Sequence, residues 1–576
     1  MVKKFMCFAM AALLGACQSA MQDEQDSKLP TAGAEGQPNI VLILFEDMSP
    51  RIGAFGDPVA TTPVLDEFAE TSIRFPNSFT TAGVCAPSRS SLITGVHQQT
   101  LGTHQMRTNS PVASMSGGGP IEYEAVPPPD VKAFPELLRA AGYFTTNFAK
   151  TDYQFGEPFT IWDRDVSLAE AANPDAFAPQ WRERADGQPF FSMFTIFGTH
   201  ESFIWPEDRE SDNPLVAAVT ARNRAALAGK PRVTDPADVE VPPYLPDTPV
   251  VRADIARHYD NIAFAERQLQ QILDWLIEDD LLGDTIVIVT TDHGDGLPRM
   301  KRSVYDSGLR VPLMLRLPNG ESWGAFDDRL VSFVDLAPTI LAWADADLPD
   351  WLQGRRMLSG ALRDYIFATT DRVDTLPDRS KAVRDERFKY IRNYRNDVAY
   401  LRPLPFRDAQ PTTQEIWRLA AAGELTPIQR QLIEAPRPPE ELYDTKTDPH
   451  EVQNLIDDPA YAETLLRLRS AMDEWLARTP DLSAMDERAM IESMWPGGVQ
   501  PTTAAPRIAS RNGQRVTLAS PTPGASIAYG FGDAEPNRLY TEPLGLPSDV
   551  TQLTVKAIRY GYAPSETATI SLDGGP

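Results

Sequence analysis

Two pairs of potential metal ligands directly follow apolar runs in this sequence and could hold a metal ion. Glu46 and Asp47 follow the run NIVLILF, whereas Asp292 and His293, in TTDHGD, follow TIVIVT. Carboxylates that converge without a cation raise one another's pKa, so a bound divalent metal is the economical explanation for such a cluster. Oxygen-rich ligation favours calcium or magnesium, whereas the imidazole of His293 suits transition metals better. Adjacent acids at strand ends are also common as N-caps or turn residues, and that alternative stays open at this point.

Cys85 is the other residue whose type could carry chemistry. The chain has three cysteines, too few for a disulfide framework. Cys7 and Cys17 lie in MVKKFMCFAMAALLGACQSA, whose basic start, short apolar stretch and small residues are typical of an export signal that is removed. Its end, LGAC, resembles the bacterial lipobox and predicts lipidation of Cys17, with an ordinary secretory signal as the alternative. Cys85 is then the one cysteine with an open role, and a buried structural thiol is the alternative for it.

The elements that must position these residues follow from the periodicity of the chain. Residues 39–45 and 285–290 are continuous apolar runs, typical of strands buried on both faces. A helical pattern covers residues 262–276 and is expected to stop at Gly283, and residues 135–148 read as a second helix-to-strand unit. This alternation predicts an α/β layered domain with a largely parallel sheet. Ligands of such sheets collect beyond the carboxyl ends of the strands, so the two acidic pairs should meet at one edge.

The composition and charge of the chain limit which partners it can bind. Its 576 residues are enough for a large enzyme domain with accessory parts. It has 80 acidic and 54 basic residues, giving a net charge of −26. Such a surface repels nucleic acid and anionic lipid, so we expect no nucleic-acid partner. It also repels polyanions at long range, and any site that binds an anion must therefore carry its own local positive charge.

The segment around Cys85 resembles a known family. CAPSRSSLITG, from Cys85 to Gly95, matches the CxPSR signature of the type I, formylglycine-dependent sulfatases of the alkaline phosphatase superfamily. The resemblance covers residues 38–476, and VPPYLPDTPVVRADIARHYDN with ELYDTKTDPHEVQNLIDDP is similar to the heparan N-sulfatase (sulfamidase) branch. It implies that Cys85 is oxidised to formylglycine by a formylglycine-generating or anaerobic sulfatase-maturing enzyme, which needs Pro87 and Arg89 at this spacing.

The resemblance also implies a calcium ion and a reaction. Its ligands would be these five residues: Glu46, Asp47, Asp292, His293 and the formylglycine at Cys85. The first acid is commonly aspartate in the family, so Glu46 is a departure that reaches one methylene further and can shift metal distance or selectivity. Hydration of the aldehyde gives a geminal diol, one oxygen of which attacks sulfur in line while the leaving group departs. The second hydroxyl then expels sulfate and regenerates the aldehyde.

Four cationic or protonatable side chains match catalytic positions of the family. Arg89 is expected to hold the diol through charge-assisted hydrogen bonds, on a helix whose first turn contains Pro87 and points its positive end at the site. Lys301, in KRSVYDSG, would neutralise a sulfate oxygen, and His200, in FFSMFTIFGTHESF, would protonate the leaving oxygen or nitrogen. Lys150, in NFAKTDYQF, takes the place of the lysine in the family's GKxH element.

Three further positions are expected to bind substrate. Asp152 stands where the GKxH element has its histidine, a departure that removes a positive group. His104 and Arg107, in LGTHQMR, lie shortly after the catalytic helix, where related sulfatases contact the sugar. The remaining histidines are assigned to the surface or the core: His97, His258 and His450.

The sequence predicts five segments. They are a lipoprotein signal peptide (1–17), a flexible tether (18–37), a catalytic domain (38–380), a C-terminal subdomain (381–495) and a small β-sandwich module (496–576). In sulfatases the fourth region forms a smaller antiparallel sheet, and here it contains the strand-like KAVRDERFKYIRN and a helix over residues 460–476. The linker WPGGVQPTTAAP precedes short alternating runs that predict the sandwich. PTPGASIAYGFGDAEPNRLYTEP resembles the C-terminal β-domain of some chitobiases and hexosaminidases.

These observations imply an exported, lipid-anchored sulfatase that acts on sulfate esters or sulfamates of a polysaccharide or oligosaccharide. The residue after the lipidated cysteine is Gln18, which favours the outer membrane of a Gram-negative bacterium. One alternative is a phosphodiesterase or phosphonate monoester hydrolase of the same superfamily, some members of which also carry formylglycine. The other alternative is an inactive glycan-binding lipoprotein. Its only support is the departures at Glu46 and Asp152.

Overall fold

The computed structural model describes residues 37–106, 108, 122–206, 214–318, 324–359 and 361–572. The predicted signal peptide, with Cys7 and Cys17, lies outside these residues, as do Arg107 and all of the predicted tether except Gln37. Among the helices in these ranges, none combines the length and the apolar character that crossing a bilayer requires.

The strands of the described residues are numbered along the chain. They are β1 Asn39–Phe45, β2 Ile73–Arg74, β3 Ser78–Phe79, β4 Phe144–Phe148, β5 Arg164–Val166, β6 Phe190–Ile196, β7 Thr285–Thr291, β8 Arg310–Val311, β9 Met314–Arg316, β10 Val331–Ser332, β11 Ile366–Thr370, β12 Ser380–Arg384, β13 Phe388–Asn393, β14 Glu440–Asp444, β15 Arg507–Asn512, β16 Arg515–Ala519, β17 Ser526–Phe531, β18 Arg538–Leu539, β19 Leu544–Gly545, β20 Gln552–Ile558 and β21 Ala568–Ser571.

The α-helices of the same residues are numbered separately. They are α1 Pro63–Glu70, α2 Cys85–Thr94, α3 Gln98–Leu101, α4 Phe134–Ala140, α5 Pro214–Leu227, α6 Pro249–Glu278, α7 Asp306–Leu309, α8 Leu336–Trp343, α9 Pro411–Ala422, α10 Pro427–Arg430, α11 Ala462–Arg478 and α12 Glu487–Met494.

The main sheet has seven strands in the order β2-β9-β7-β1-β6-β4-β5. The central strand β1 pairs in parallel with β6 on one side and with β7 on the other. Strand β9 runs antiparallel to β7, and β2 runs antiparallel to β9. The sheet is therefore mixed and mostly parallel, which confirms the predicted fold class.

Alternation along β1 explains why its apolar run is continuous. Ile40, Leu42 and Leu44 pack into one hydrophobic cluster with helices α4 and α8. Val41, Ile43 and Phe45 point the other way, into a second cluster with the apolar face of α6. Both faces of the strand are covered by helices, so every position after Asn39 needs an apolar side chain.

The register of the sheet brings three loops together. Phe45, the last residue of β1, pairs with Ile196 at the end of β6 and with Thr291 at the end of β7. The chain therefore leaves all three strands at the same level, and the residues that follow them share one edge of the sheet. This edge lies at the carboxyl ends of parallel strands, where ligands of such folds bind.

The predicted end of the long helix was wrong. Gly283 was expected to stop it, but α6 ends at Glu278 and the chain turns at Asp280, whose φ is +56°. Gly283 lies instead in a short 3-10 turn, Leu282–Asp284. An aspartate tolerates the left-handed region because its short polar side chain bonds locally, so it ended the helix without a glycine.

Two smaller β-structures follow the main sheet. Strands β11 to β14 form an antiparallel sheet, and α11 covers one face of it through Leu468, Met472 and Trp475. Near the C-terminus, the sheets β15-β16-β19 and β18-β17-β20-β21 enclose a common core that includes Val516 and Val555. Two sheets around one core make a sandwich, as the alternating runs predicted.

The sandwich packs directly against the rest of the protein. Tyr560, fully buried, donates a hydrogen bond from its hydroxyl to Glu136 Oε2 at 2.8 Å, and its ring stacks on Phe155 with centroids 5.1 Å apart. Lys132 Nζ donates to the carbonyl oxygen of Gly524 at 2.6 Å. These contacts join the module to helix α4 and its neighbouring loops through buried groups.

Candidate active site

Cys85 is the first residue of helix α2, and its thiol lies beside the residues that follow β1 and β7. All ten residues of this helix are buried, and it ends at Gly95, whose φ is +70°. Ser88 Oγ donates to the carbonyl oxygen of Asp292 at 2.6 Å, which ties the helix to the end of β7. The helix therefore fixes the thiol relative to the acidic pair that follows β7, with the positive end of the helix at Cys85.

Four residues that the sequence proposed as ligands lie together. Asp47, Cys85, Asp292 and His293 each place one ligand atom within 4.8 Å of the others, and all four are buried. Cys85 Sγ lies 3.3 Å from His293 Nε2 and 4.0 Å from Asp47 Oδ1. The backbone N–H of Asp47 donates to Asp292 Oδ1 at 3.0 Å, which couples the end of β1 to the end of β7.

The ring of His293 is oriented to offer Nε2 to this cluster. His293 Nδ1 lies 2.9 Å from the carbonyl oxygen of Gly294, to which it donates, so the neutral ring carries its lone pair on Nε2. Burial lowers the pKa of His293, but Asp292 and Asp47 outweigh it and raise the pKa to about 9. A cation bound among these carboxylates would replace that proton, as metal ions do at histidine ligands.

The donor set fits a divalent cation. Two buried carboxylates and an imidazole nitrogen converge on the position of Cys85, and the structure concentrates their negative charge away from water. Oxygen donors of this kind suit a hard ion, with the imidazole as the softer member. Asp47 adopts a φ of +43°, an uncommon conformation that clusters at functional sites.

Glu46 lies at the border of this cluster and is held by two cations. Its ligand atom falls within 4.8 Å of those of Asp47, Cys85 and His200. At the same time its carboxylate accepts from Arg89 Nη2 at 2.5 Å and from Lys150 Nζ at 2.8 Å. Burial and the charge of Asp292 raise the pKa of Glu46, whereas the two cations oppose that rise.

Arg89 lies one turn into helix α2, and its guanidinium reaches the carboxylates. Besides Glu46, it contacts Asp292 Oδ2 at 3.4 Å and donates to Thr195 Oγ1 at 3.3 Å. Although burial lowers the pKa of Arg89, Glu46 and Asp292 raise it well above its usual value. Arg89 therefore holds the acids of two strands in place, and its predicted contact with a diol stays a prediction.

Lys301 is part of a chain of charges that leads away from the cluster. Its Nζ donates to both oxygens of Asp47, at 2.8 and 2.7 Å, and lies 3.1 Å from Glu201 Oε1. Glu201 in turn accepts from both terminal nitrogens of Arg302, at 2.9 and 2.7 Å. Burial raises the pKa of Glu201, but Arg302 and Lys301 bring it well below its usual range.

His200 follows β6 and is buried beside the cluster. Its Nδ1 accepts from the backbone N–H of Ser202 at 3.3 Å and lies 2.9 Å from Ser202 Oγ. The neutral ring therefore carries its proton on Nε2, the arrangement that a proton donor needs. Its ring also lies edge-on to Phe406, with centroids 6.3 Å apart.

The predicted substrate residues are more dispersed. Asp152 has a φ of +56° and pairs with Lys150 at 3.5 Å. His104 is buried, and burial followed by the charge of Lys381 lowers its pKa to about 3. Its other charged neighbours are Asp481, Arg372 and Arg379, and its contact with a sugar stays a prediction. Arg107 lies outside the described residues.

The three remaining histidines are accounted for structurally. His97 is buried edge-on against Trp475, with ring centroids 5.3 Å apart. His258 Nε2 lies 3.0 Å from Asp295 Oδ1, and both side chains are buried. His450 is partly exposed and lies 3.5 Å from Glu240.

Sequence reasoning missed four residues that shape the site. Glu201 and Arg302 stand next to His200 and Lys301, so their neighbours were the available signal. Asp295 closes the string TTDHGD and accepts from the backbone N–H of Ser49 at 2.6 Å, which fixes the loop after β1. A Cβ on Gly296 would lie 2.5 Å from Glu201 Cβ and 2.9 Å from Asp47 Oδ2.

This geometry defines what the site can do. A reactive group at position 85 would lie beside a cation-binding set of carboxylates, with a protonated lysine and a histidine N–H around it. Such a set can bind an oxyanion, stabilise charge that develops on its oxygens and protonate a leaving group.

Comparison with protein families finds two matches along the chain. Residues 38–346 match the model of the sulfatase family. Residues 299–436 match a model described as the C-terminal part of N-sulphoglucosamine sulphohydrolase.

Curated proteins and solved structures agree with this result. An ulvan-active sulfatase of Formosa agariphila is 38% identical over 93% of this chain and 91% of its own. Human N-sulphoglucosamine sulphohydrolase is 27% identical over 82% of this chain and 94% of its own. A phosphonate monoester hydrolase from Silicibacter pomeroyi, 17% identical, superposes with a TM-score of 0.54 over 78% of this chain and 96% of that one. The last likeness shows an alkaline phosphatase-like fold.

Proposed function

Because the chain belongs to the sulfatase family and is a sulfuric ester hydrolase, we propose that it desulfates a polysaccharide or oligosaccharide, using formylglycine formed at Cys85 and bound calcium. The observation that carries this is the buried meeting of Asp47, Asp292 and His293 at Cys85. The family generally uses formylglycine and a divalent metal, and the oxygen donors favour calcium. The names of two relatives, ulvan-active sulfatase and N-sulphoglucosamine sulphohydrolase, support a sulfated glycan as the substrate class.

The residues of this chain divide the reaction among them. A hydroxyl of the hydrated formylglycine attacks sulfur and forms an S–O bond, while the bond from sulfur to the leaving oxygen or nitrogen breaks. His200 supplies the proton that the leaving atom takes up, from Nε2. The remaining hydroxyl then loses its proton, the C–O bond to sulfate breaks, and the aldehyde returns.

Positive groups around position 85 support the same assignment. Lys301 donates to Asp47 and would neutralise a sulfate oxygen. Asp47, Asp292, His293 and the border residue Glu46 would hold the cation, which when bound polarises the sulfate and lowers the pKa of the attacking hydroxyl. Arg89 and Lys150 keep the carboxylate of Glu46 in place.

The test combines peptide mass analysis with turnover. After expression with a maturation enzyme, the peptide containing residue 85 should carry an aldehyde in place of the thiol. Cys85→Ala should lose activity on an aryl sulfate by about 1,000-fold or more, because the nucleophile is gone, while its melting temperature stays close to that of the parent. An unconverted thiol in a fully active enzyme contradicts the assignment, and a faster reaction with an aryl phosphodiester would favour the phosphodiesterase alternative.

We also propose that the protein is exported and anchored by a lipid at Cys17, in the outer membrane. The support is the sequence alone: a signal-like start, the LGAC string and Gln18. Its partners would then be a maturation enzyme and the membrane, besides the glycan. Cell fractionation should find the protein in the detergent-soluble membrane fraction, and Cys17→Ser should release it. A parent protein free in the medium would contradict the anchor.

A further inference from the structure

A buried arginine without an acidic partner lies beside the active site. Arg407 is 5% exposed. Its Nη2 donates to the carbonyl oxygen of Arg402, whereas Nε has no hydrogen-bond partner. Within the residues that the structure describes, no carboxylate lies within ion-pair distance of this guanidinium. A buried charge without a counter-charge is costly, so this position calls for an anion that the chain itself does not supply.

The segment that carries Arg407 runs past the reactive residues. Leu404 packs in the same apolar cluster as Cys85, and the ring of Phe406 lies edge-on to His200. Shortly after Arg407, Gln410 Nε2 donates to the carbonyl oxygen of Gly296 at 2.5 Å, in the loop that approaches Asp47. Arg407 is therefore held next to the site from both sides along the chain.

The acidic groups around Arg407 are already engaged. Asp408 accepts from the backbone N–H of Leu404 at 2.8 Å and from Trp417 Nε1 at 3.2 Å. Glu201 binds Arg302 and Lys301. Burial and the neighbouring charge of Arg302 lower the pKa of Arg407 to about 10, which leaves it protonated near neutral pH. Asp408 and Glu201 oppose that fall of the pKa, but neither acid lies within ion-pair distance, so no carboxylate of the described residues pairs directly with this buried charge.

A second arginine without a close acidic partner lies five residues before Arg407. Arg402 is part-exposed, and its Nη2 donates to the carbonyl oxygen of Pro377 at 3.0 Å. The nearest carboxylate to it is Asp378, at 4.0 Å, and that acid binds Arg437 at 2.6 Å. One acid therefore serves two arginines, and Arg402 Nε also lacks a partner.

We propose that Arg407, in the same segment as Arg402, forms a subsite for a second anionic group of the glycan, next to the sulfate that is cleaved. That group is an oxyanion, a uronate carboxylate or a second sulfate, because the planar fork of a guanidinium pairs with two oxygens of either. The inference rests on the proposed function and narrows its substrate class to glycans with two acidic groups close together. The subsite also supplies the local positive charge that a polyanion needs to approach this acidic surface.

The test measures binding in the Cys85→Ala background, where no turnover occurs. Three disaccharide probes are compared by calorimetry: one with a single sulfate, one with a sulfate and a uronate, and one with two sulfates. The Cys85→Ala protein, with Arg407 intact, is the parent of this series. It should bind at least one doubly anionic probe about tenfold or more tighter than the monosulfated probe. Arg407→Gln should remove that preference, a loss of about 10- to 100-fold for charge-assisted hydrogen bonds. The probe that loses more identifies the second group.

Matched variants distinguish a specific anion subsite at Arg407 from a general effect of removing positive charge. Arg418→Gln makes the same charge change on the nearby helix α9, where Arg418 is exposed and paired with Glu415, and it should keep the preference. Arg407→Lys keeps the charge but not the fork, so it should reduce the preference; it decides the question if Arg407→Gln does not fold. A parent without preference, or a preference unchanged in both Arg407 variants, overturns the subsite. Aryl sulfate turnover by the wild type, measured in parallel, tests the proposed function separately.

Discussion

Asp47 takes part in several interactions at once. Lys301 donates to both of its oxygens, the backbone N–H of Glu201 donates to Oδ2 at 2.7 Å, and His293 Nε2 lies 3.2 Å from Oδ1. These contacts hold a side chain whose backbone is in the left-handed region. Asp47 therefore depends on residues from two different loops, after β6 and after β7, for its position.

We expect Lys301→Met to show this dependence. The variant removes the cation that binds Asp47 and leaves two buried acids, Asp47 and Glu201, with less compensation. Activity on an aryl sulfate should fall by about 100- to 1,000-fold, the usual size of losing one electrostatic group of a site. Unfolding free energy should fall by about 3–5 kcal/mol, because one partner of a buried ion pair is gone.

The matched control for this prediction is Lys446→Met. Lys446 is exposed, and the same substitution there should leave turnover and thermal unfolding close to the parent values. Activity of Lys301→Met within a few-fold of the parent would show that Asp47 does not need this lysine.

At the scale of elements, the site is built where three strand ends meet and the following loops touch. The closest approach is at Gly296, whose Cα faces Glu201 and the carboxylate of Asp47 without room for a side chain. The chain at this point brings the loop after β7 against the loop after β6. The spacing between the two loops thus sets where Asp47 can lie.

Gly296→Ala should therefore disturb the site while keeping its charges. The added methyl group pushes against Glu201 and Asp47, and a shift of about 1 Å in such a group can lower turnover by about 100-fold. Kinetics on an aryl sulfate measure the effect. Gly283→Ala is the control, since a Cβ there meets nothing within 4 Å. Equal activities of the two variants would contradict this account of the loop packing.

Much of this framework was readable from the sequence. The run NIVLILF predicted β1 to the residue, and the apolar run from Thr285 predicted β7 to within one residue. Because strand ends in a parallel sheet align, the meeting of Asp47 with Asp292 followed from those two predictions. Periodicity is a local signal, and it identified the elements that position the acids.

Contacts between loops were not readable in the same way. The pairing of Arg302 with Glu201 joins residues about a hundred positions apart, and no repeating pattern encodes it. The same holds for Gly296, because the lack of room for a side chain there becomes visible only once the loops are packed together. The end of α6 was missed because Asp280, rather than the glycine three residues later, takes the left-handed turn.

At the scale of the whole molecule, metal binding should link activity to stability. Removing divalent cations with a chelator should reduce activity by about 100-fold or more and lower the melting temperature, because the ligands then repel one another. Calcium should restore both, and more effectively than magnesium. A chelated enzyme that keeps full activity would contradict the proposed cation, and restoration by magnesium alone would contradict calcium.

The docked β-sandwich gives a second prediction at this scale. Tyr560→Ala removes a fully buried aromatic ring between the module and helix α4, and it should lower the unfolding free energy by about 3–5 kcal/mol. Tyr560→Phe removes only the hydroxyl, which donates to Glu136 and accepts from the backbone N–H of Ala133, and should lose about 1–3 kcal/mol. Chemical denaturation measures both. An unchanged midpoint in Tyr560→Ala would show that the module contributes no stability to the rest.

The same docking limits how the enzyme can meet a long polymer. A domain on a flexible linker could bind a distant part of the polysaccharide and bring further sugars to the active site. Here Lys132, Glu136 and Phe155 hold the sandwich against the domain that contains Cys85. A polysaccharide that contacts both the sandwich and the active site must match the fixed distance between them. The module would therefore favour a particular spacing along the polymer rather than bring distant sugars to the site.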